Sequence, residues 1–256
     1  MLAYIVGSIS TDQRGVPILP QRNALLAALP DDVLADLPLE HVPLPFKQVV
    51  SEPSERIEVA YFPVSGVLSM VNEPSPGEIV EFATIGREGF SGVPLLLESD
   101  AMPSRVLVQV DGEAFRIGKA DFSAAIEVHP AFRSLLMRYT LALMSQIAQS
   151  TSCNRLHEVQ ERCARWLLQT HDRVDDDQFP MTQGFLAQML GVHRPTVTVA
   201  AGMLQKAGLI HYSRGRMEVR DRAGLEAASC PCYRFITSEY DRLVGLSWSP
   251  RRRSSD

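Results

Sequence analysis

The sequence predicts an α+β fold: an N-terminal antiparallel β-roll (jelly roll), then a long helix, then a C-terminal helix pair followed by a hairpin. Three observations predict it. Over residues 42–119 the apolar residues recur with a period near two, in IEVAYFPVSGVLSMV, EIVEFATI and RVLVQVDGEAFRI, separated by turn residues. Over residues 121–155 the spacing changes to steps of three and four. Residues 181–222 place Leu186, Leu190, Val192, Val197 and Ala200 where two crossed helices share a core, just ahead of a basic hairpin.

The 256 residues suffice for two domains, and a hydrophobic content of 45% suffices for two cores. No apolar run reaches membrane-spanning length, and the start, MLAYIVGSIS, lacks a basic n-region and a sustained h-region, so no membrane partner and a cytoplasmic location are expected. Residues 1–20 show no periodicity and read as a flexible leader. After it, Leu25, Leu26, Leu29, Val33, Leu34 and Leu37 suit two short helices, broken at Pro30. The roll is assigned to 21–120, with glycines at 66, 77, 86, 89, 92 and 112 punctuating it.

The long helix is assigned to 121–155. Phe132, Leu136, Tyr139, Leu143 and Ile147 form its apolar stripe, and Leu135, Met137, Leu141 and Met144 widen it until both flanks need cover. One flank can pack on the roll and the other on a second copy of the chain. The stripe residues are therefore expected to form the contact of a homodimer, and the segment is a dimerisation helix. A further helix, HEVQERCARWLLQTHDRV, ends at Asp175-Asp176-Asp177, an acidic run read as a solvated loop.

Residues 156–233 read as a winged helix-turn-helix. Gly191 sits at the bend, where a positive φ is needed. Pro195 falls in the first turn of a second helix expected over 194–206, and Gly208 closes it. Leu209, Ile210 and Tyr212 make a short strand, 213–216 a turn, and Met217, Glu218 and Val219 the returning strand: a wing. The region carries Arg194, Lys206, Arg214, Arg216, Arg220 and Arg222 against Glu218 and Asp221, although the whole chain has a net charge of −5. Basicity gathered here points to double-stranded DNA as partner.

Thr182, Thr196, Arg214 and Arg216 are placed to meet phosphates. His193, Arg194, Pro195, Thr198 and Val199 are placed to face bases, with Arg194 the candidate for a bidentate contact to guanine. Residues 234–256 lose pattern and are read as a disordered tail ending in Arg251-Arg252-Arg253. The four cysteines, Cys153, Cys163, Cys230 and Cys232, read as free thiols. Cys230-Pro231-Cys232 finds no CxxC or HxxxH partner and Cys153 and Cys163 make no obvious chelate, so no metal site and no cofactor are expected.

The order of roll, long helix and winged helix-turn-helix resembles the Crp/Fnr family of bacterial transcription regulators over about 23–233. The segments that carry the resemblance are YFPVSGVLSMV at 61–71, GREGFSGVPLLL at 86–97, CNRLHEVQERCARWLLQTHDRV at 153–174 and LAQMLGVHRPTVTVAAGMLQKAGLI at 186–210. The resemblance implies a homodimer on a two-fold DNA site that regulates transcription, with RNA polymerase as a further partner.

It also implies an effector site in the roll, and here the chain departs from the family. Gly92 matches the glycine of the cyclic AMP cassette, but its glutamate position is Val93, Pro94 starts the short helix, and the Arg-Ser pair is reversed as Ser104-Arg105. The family's adenine-contacting hydroxyls fall near Ile147 and Ala148. Gly92, Ser104 and Arg105 are what remains of an effector site, for an unidentified small molecule if there is one, and cyclic AMP is not expected. No cysteine precedes Cys153, which excludes the family's N-terminal iron–sulfur cluster, and His41, His129 and His157 read as ordinary histidines rather than haem ligands. The family's glutamate and second arginine on the recognition helix are here Pro195 and Val199, so contact of Val199 with a thymine methyl is expected instead.

Two other classes stay open. One is a small-molecule-sensing module acting through protein contacts. The other, an enzyme of the metal-dependent jelly-roll type, is disfavoured because no histidine lies between Val49 and Ile117.

Overall fold

The computed structural model describes residues 18–75 and 77–245. The last three residues of the expected leader are ordered, with Ile18 buried and Pro20–Arg22 forming a 3-10 turn, whereas residues 1–17 lie outside the described residues. Two short helices follow, α1 (Ala24–Ala27) and α2 (Asp31–Asp36). Asn23 caps α1, its side chain accepting from the amides of Leu25 and Leu26 and donating to the carbonyls of Pro63 and Gly89.

The roll consists of β1 (Glu40–Leu44), β2 (Val49–Ser51), β3 (Val59–Pro63), β4 (Val67–Ser75), β5 (Glu78–Ile85), the short helix α3 (Val93–Leu96), β6 (Arg105–Val110) and β7 (Gly112–Gly118). Its strands form two antiparallel sheets, ordered β1-β7-β3 and β2-β6-β4-β5. Leu44, Ala60, Phe62 and Ile117 of the first share one core with Leu68, Met70, Ala83 and Val108 of the second. The period-two pattern of the sequence is this alternation of core-facing and outward residues.

The single long helix expected over 121–155 is two helices, α4 (Lys119–Val128) and α5 (Pro130–Leu156). Pro130 has no N–H to continue a helix and opens α5 in its first turn, which breaks the chain at His129. Phe132, Leu136, Tyr139 and Leu143 are buried within the single chain, and Ile147 packs against the same core. They face the roll core, and the first four, at most 3% exposed, offer a partner almost no surface. Rings step from the roll into α5, with Phe62 and Phe90 stacked at 5.5 Å between centroids and Phe90 5.3 Å from Tyr139.

The remaining elements are α6 (Val159–His171), β8 (Gln178–Pro180), α7 (Gln183–Leu190), α8 (Arg194–Lys206), β9 (Ile210–Ser213), β10 (Arg216–Val219), α9 (Arg222–Ala228) and α10 (Cys232–Val244). Their own core includes Trp166, Leu167, Leu186, Val197, Leu204, Ile210 and Met217. The tail expected to be disordered from residue 234 is helical to Val244. Tyr233, Ile236, Tyr240 and Val244 form a stripe at helical steps, and the last three lie in the roll core, where Tyr240 meets Tyr139. Residues 246–256, with the three arginines, lie outside the described residues.

Buried polar groups join the two halves. Arg173, after α6, meets Glu88 of the roll at 2.7 Å, with both side chains 1% exposed, and Gly86 leaves the space that its stem crosses: a Cβ there would lie 2.5 Å from Arg173 Cγ. Asp175, part of the run expected to be solvated, pairs with Arg22 at 2.6 Å and Arg87 at 2.7 Å.

A second junction runs through Glu81. Trp166 Nε1 donates to Glu81 Oε1 at 2.6 Å, Gln109 Nε2 donates to Thr170, and Ser69 Oγ lies 2.5 Å from both Glu81 Oε2 and Gln109 Oε1. A hydroxyl has one proton, so both Ser69 contacts are satisfied when the Glu81 carboxyl keeps its own proton and donates to Ser69. Burial pushes the Glu81 pKa up from 4.5 to about 7, in the same sense.

The pKa is therefore higher folded than unfolded. The Glu81 contribution to stability is fully present below pH 4.5 and is lost as pH rises through about 7, by on the order of 3 kcal/mol. Glu81→Gln places an amide donor toward Ser69 at every pH. Urea midpoints measured between pH 5 and 8 should fall more steeply for the wild type than for the variant; parallel curves would exclude a proton shared at this junction.

Candidate nucleic-acid interface

The helix pair is set by its termini. Thr182 caps α7, its Oγ1 accepting from the amide of Phe185 at 3.1 Å, and its hydroxyl proton remains to donate outward. Gly191 ends α7 with φ +62°, and α8 runs over Arg194–Lys206 with Pro195 in its first turn. Thr198 Oγ1 lies 2.9 Å from Gln183 Oε1 and 3.1 Å from the Arg194 carbonyl, and its one proton, donated to Gln183, links α8 to α7.

The outer face of α8 is open. His193, Arg194, Pro195, Thr196 and Val199 are exposed, and the Arg194 guanidinium has no hydrogen-bond or ion-pair partner among the described residues; it is the Arg194 carbonyl that lies 3.1 Å from Thr198 Oγ1. Val199 is 62% exposed and Met203, one turn on, is 45% exposed. An apolar step of this kind on a basic face suits thymine methyl groups. Met203 was not singled out in the sequence, though it stands four residues after Val199.

The wing is a hairpin of β9 and β10 with Ser213 opposite Arg216. Arg214 and Gly215 at its tip have φ of +49° and +76°, the positive pair of a type I′ turn, whose twist matches that of the strands. Arg214 projects from the tip, and Arg216 is exposed while Nε donates to Gln178 at 3.1 Å. The sequence did not reveal β8, which adds a third strand to the wing sheet in the order β8-β10-β9. Its three residues, Gln-Phe-Pro, are too few to show a period.

One basic residue of the region leaves the surface. Arg222 is turned inward, donating to Asp172 at 2.6 Å and to the Tyr233 hydroxyl at 2.7 Å. The exposed cations are Arg194, Lys206, Arg214, Arg216 and Arg220.

The residues left from a cyclic-nucleotide site are not gathered into one. Gly92 has φ +107°, and a Cβ on it would lie 2.9 Å from that of Ala60, so its absence of a side chain answers to the backbone. The cavity that Gly92 lines with Met70, Ile85, Val106 and Leu143 measures about 20 Å³, room for about one water molecule and far too little for a nucleotide. Ser104 is buried, and Arg105 is held by Glu52 at 2.7 Å and Glu73 at 3.4 Å. An anion would have to displace two carboxylates from its guanidinium.

Contrary to the expectation of scattered thiols with no metal-binding arrangement, Cys153, Cys230 and Cys232 are buried together, with His157 beside them. Cys153 in the last turn of α5 and His157 at its C-cap lie four residues apart, a pairing hidden when each cysteine is compared only with other cysteines.

No helix among the described residues is long and apolar enough to cross a membrane. The profile of the Crp-like helix-turn-helix domain matches residues 161–228. A search of curated proteins finds no match to the chain. Among solved structures, FixK2 from Bradyrhizobium japonicum is similar with a TM-score of 0.61 and 15% identity, over 75% of this chain and 98% of that one. A Crp/Fnr-family protein from Eubacterium rectale has a TM-score of 0.62 and 15% identity, over 80% and 96%. TTHB099, a transcriptional regulator of the CRP family from Thermus thermophilus, has 0.61 and 18%, over 73% and 96%. The chain thus has the fold of the Crp/Fnr family of transcription regulators and carries a Crp-like helix-turn-helix domain.

Proposed function

We propose that the protein is a sequence-specific DNA-binding transcription regulator that acts as a homodimer on a two-fold site, with RNA polymerase as a further partner and without cyclic AMP as effector. The observation that carries the reading is the open face of α8, where the unpartnered guanidinium of Arg194 stands beside Val199 and Met203, flanked by the exposed arginines of a preformed wing. Phosphate contacts fall to Thr182, Thr196, Arg214 and Arg216. Base contacts fall to His193, Arg194, Pro195 and Val199, held in register by Thr198.

The dimer contact is assigned to a different stripe from the one the sequence suggested. Met137, Leu141, Met144, Ala148 and Thr151 are exposed on α5 at alternating steps of four and three, the spacing of a coiled-coil seam. Met137 and Leu141 are each 49% exposed and Met144 is 61% exposed. A second copy of the same helix is the partner whose pattern fits this seam, and a two-fold protein suits a two-fold site.

Titration on selected and random duplexes tests the division of labour. Arg194→Ala should cost about 1 to 3 kcal/mol on the selected site and relax preference at one base pair, whereas Arg216→Ala should weaken all sequences alike and flatten the salt dependence. Equal loss on both duplexes for both variants would remove the reading role of Arg194, and no affinity of the wild type for either would sink the proposal.

A further inference from the structure

Cys153 and His157 stand one turn apart at the end of α5, and Cys230 and Cys232 come to them from the start of α10. The four ligand atoms, three Sγ and one imidazole nitrogen, lie within 4.8 Å of one another. Cys153 and Cys230 Sγ are 3.4 Å apart, and Cys232 Sγ is 3.4 Å from His157 Nδ1.

A tetrahedral zinc ion, with bonds of about 2.3 Å to sulfur and about 2.0 Å to nitrogen, sets S···S edges of roughly 3.8 Å and S···N edges of roughly 3.5 Å. The four atoms therefore lie close to the corners that one such ion needs. They are too close together to span the several irons of a cluster. A disulfide would need the Cys153 and Cys230 sulfurs at about 2.05 Å, and would leave Cys232 and His157 without a role.

The surroundings suit the charge. Three thiolates and a dication sum to one negative charge, and the guanidinium groups of Arg162 and Arg165 on α6 act electrostatically on Cys153 and Cys230. Gln149 Nε2 donates to Cys232 Sγ at 3.1 Å, an outer contact of the kind that orients a thiolate ligand.

We infer that Cys153, His157, Cys230 and Cys232 form a structural binding site for one zinc-type ion, which clamps the base of the DNA-binding unit. The ligand pairs flank residues 158–229, which contain the whole helix-turn-helix and wing, and His157 is the residue at which α5 gives way to α6. The ion closes this segment on itself and fixes the angle at which it leaves the long helix. The metal site stands independently of the DNA-binding reading, whereas its effect on DNA affinity rests on that reading.

Full-length protein purified in reductant, incubated with zinc chloride and dialysed, should retain one zinc per chain by elemental mass spectrometry. Cobalt in its place should give the strong visible bands and thiolate charge-transfer bands of a tetrahedral sulfur-rich site. Cys232→Ser and His157→Ala should lose retention or alter the cobalt spectrum, and Cys163→Ser, buried in a different core, should change neither. A wild-type protein that retains no zinc and shows no cobalt bands, with its thiols free or with a Cys153–Cys230 disulfide, overturns the site. Chelation should lower affinity for the selected duplex about tenfold or more with the dimer intact. Unchanged affinity after complete zinc removal overturns the clamp, and stoichiometric zinc in a protein without DNA affinity upholds the site while refuting the regulator.

Discussion

Leu141→Asp combined with Met144→Asp is expected to leave the fold intact and to convert the protein from a dimer to a monomer. Both side chains are about half exposed or more in the single chain, so the change buries no charge within the protomer. In a dimer it would set carboxylates against their symmetry mates in a seam that must exclude water. The monomer holds one half-site at a time and loses the gain of linked contacts, so affinity for a two-fold duplex should fall about 10² to 10⁴-fold while binding to an isolated half-site is retained. Analytical ultracentrifugation beside duplex titration reads both effects. A variant that stays dimeric would place the partner contact on another surface. The same substitution at Leu136 or Tyr139 should instead unfold the roll, because those side chains are already inside it.

Arg173→Ala should be the most destabilising single change outside the apolar cores, by about 3 to 5 kcal/mol. It strands the Glu88 carboxylate, which is 1% exposed, without its cation, and leaves the space beside Gly86 empty. Replacing both partners, as in Arg173→Met with Glu88→Gln, should recover a large part of the loss, since the cost lies in the uncompensated charge more than in the absence of the pair. Urea unfolding of the two variants measures this. A single variant that unfolds like the wild type would show that the ion pair does not hold the helix-turn-helix half to the roll.

The readable parts of the sequence were those where one face of an element repeats. The limits of α8, the glycine at the bend, the wing turn and the paired sheets of the roll follow from local chemistry: proline in a first turn, positive φ at a tip, alternation along strands. The split between α4 and α5 was also written locally, in Pro130, but the apolar stripe running across it hid the break. The choice between the two apolar faces of α5 was not readable. Phe132, Leu136, Tyr139 and Leu143 look as suited to a partner as Met137, Leu141 and Met144, and only the position of the roll decides which set is covered.

Long-range pairings escaped for the same reason. Arg222 with Asp172, Arg173 with Glu88 and Cys153 with Cys230 join positions many residues apart, and no spacing rule connects them. α10 is a different case. Its stripe of Tyr233, Ile236, Tyr240 and Val244 is a helical pattern in the sequence, obscured by the polar residues between and by its place near the chain end.

The central claim is best tested by selecting the purified protein against a randomised duplex pool, with and without cyclic AMP, and sequencing what it retains. The account predicts a palindromic motif whose half-sites are about one helical turn apart, recovered equally in both conditions, because the roll interior holds a cavity of only about 20 Å³ and Arg105 is bound to Glu52 and Glu73. Enrichment that requires the nucleotide, or no enrichment at all, would contradict it.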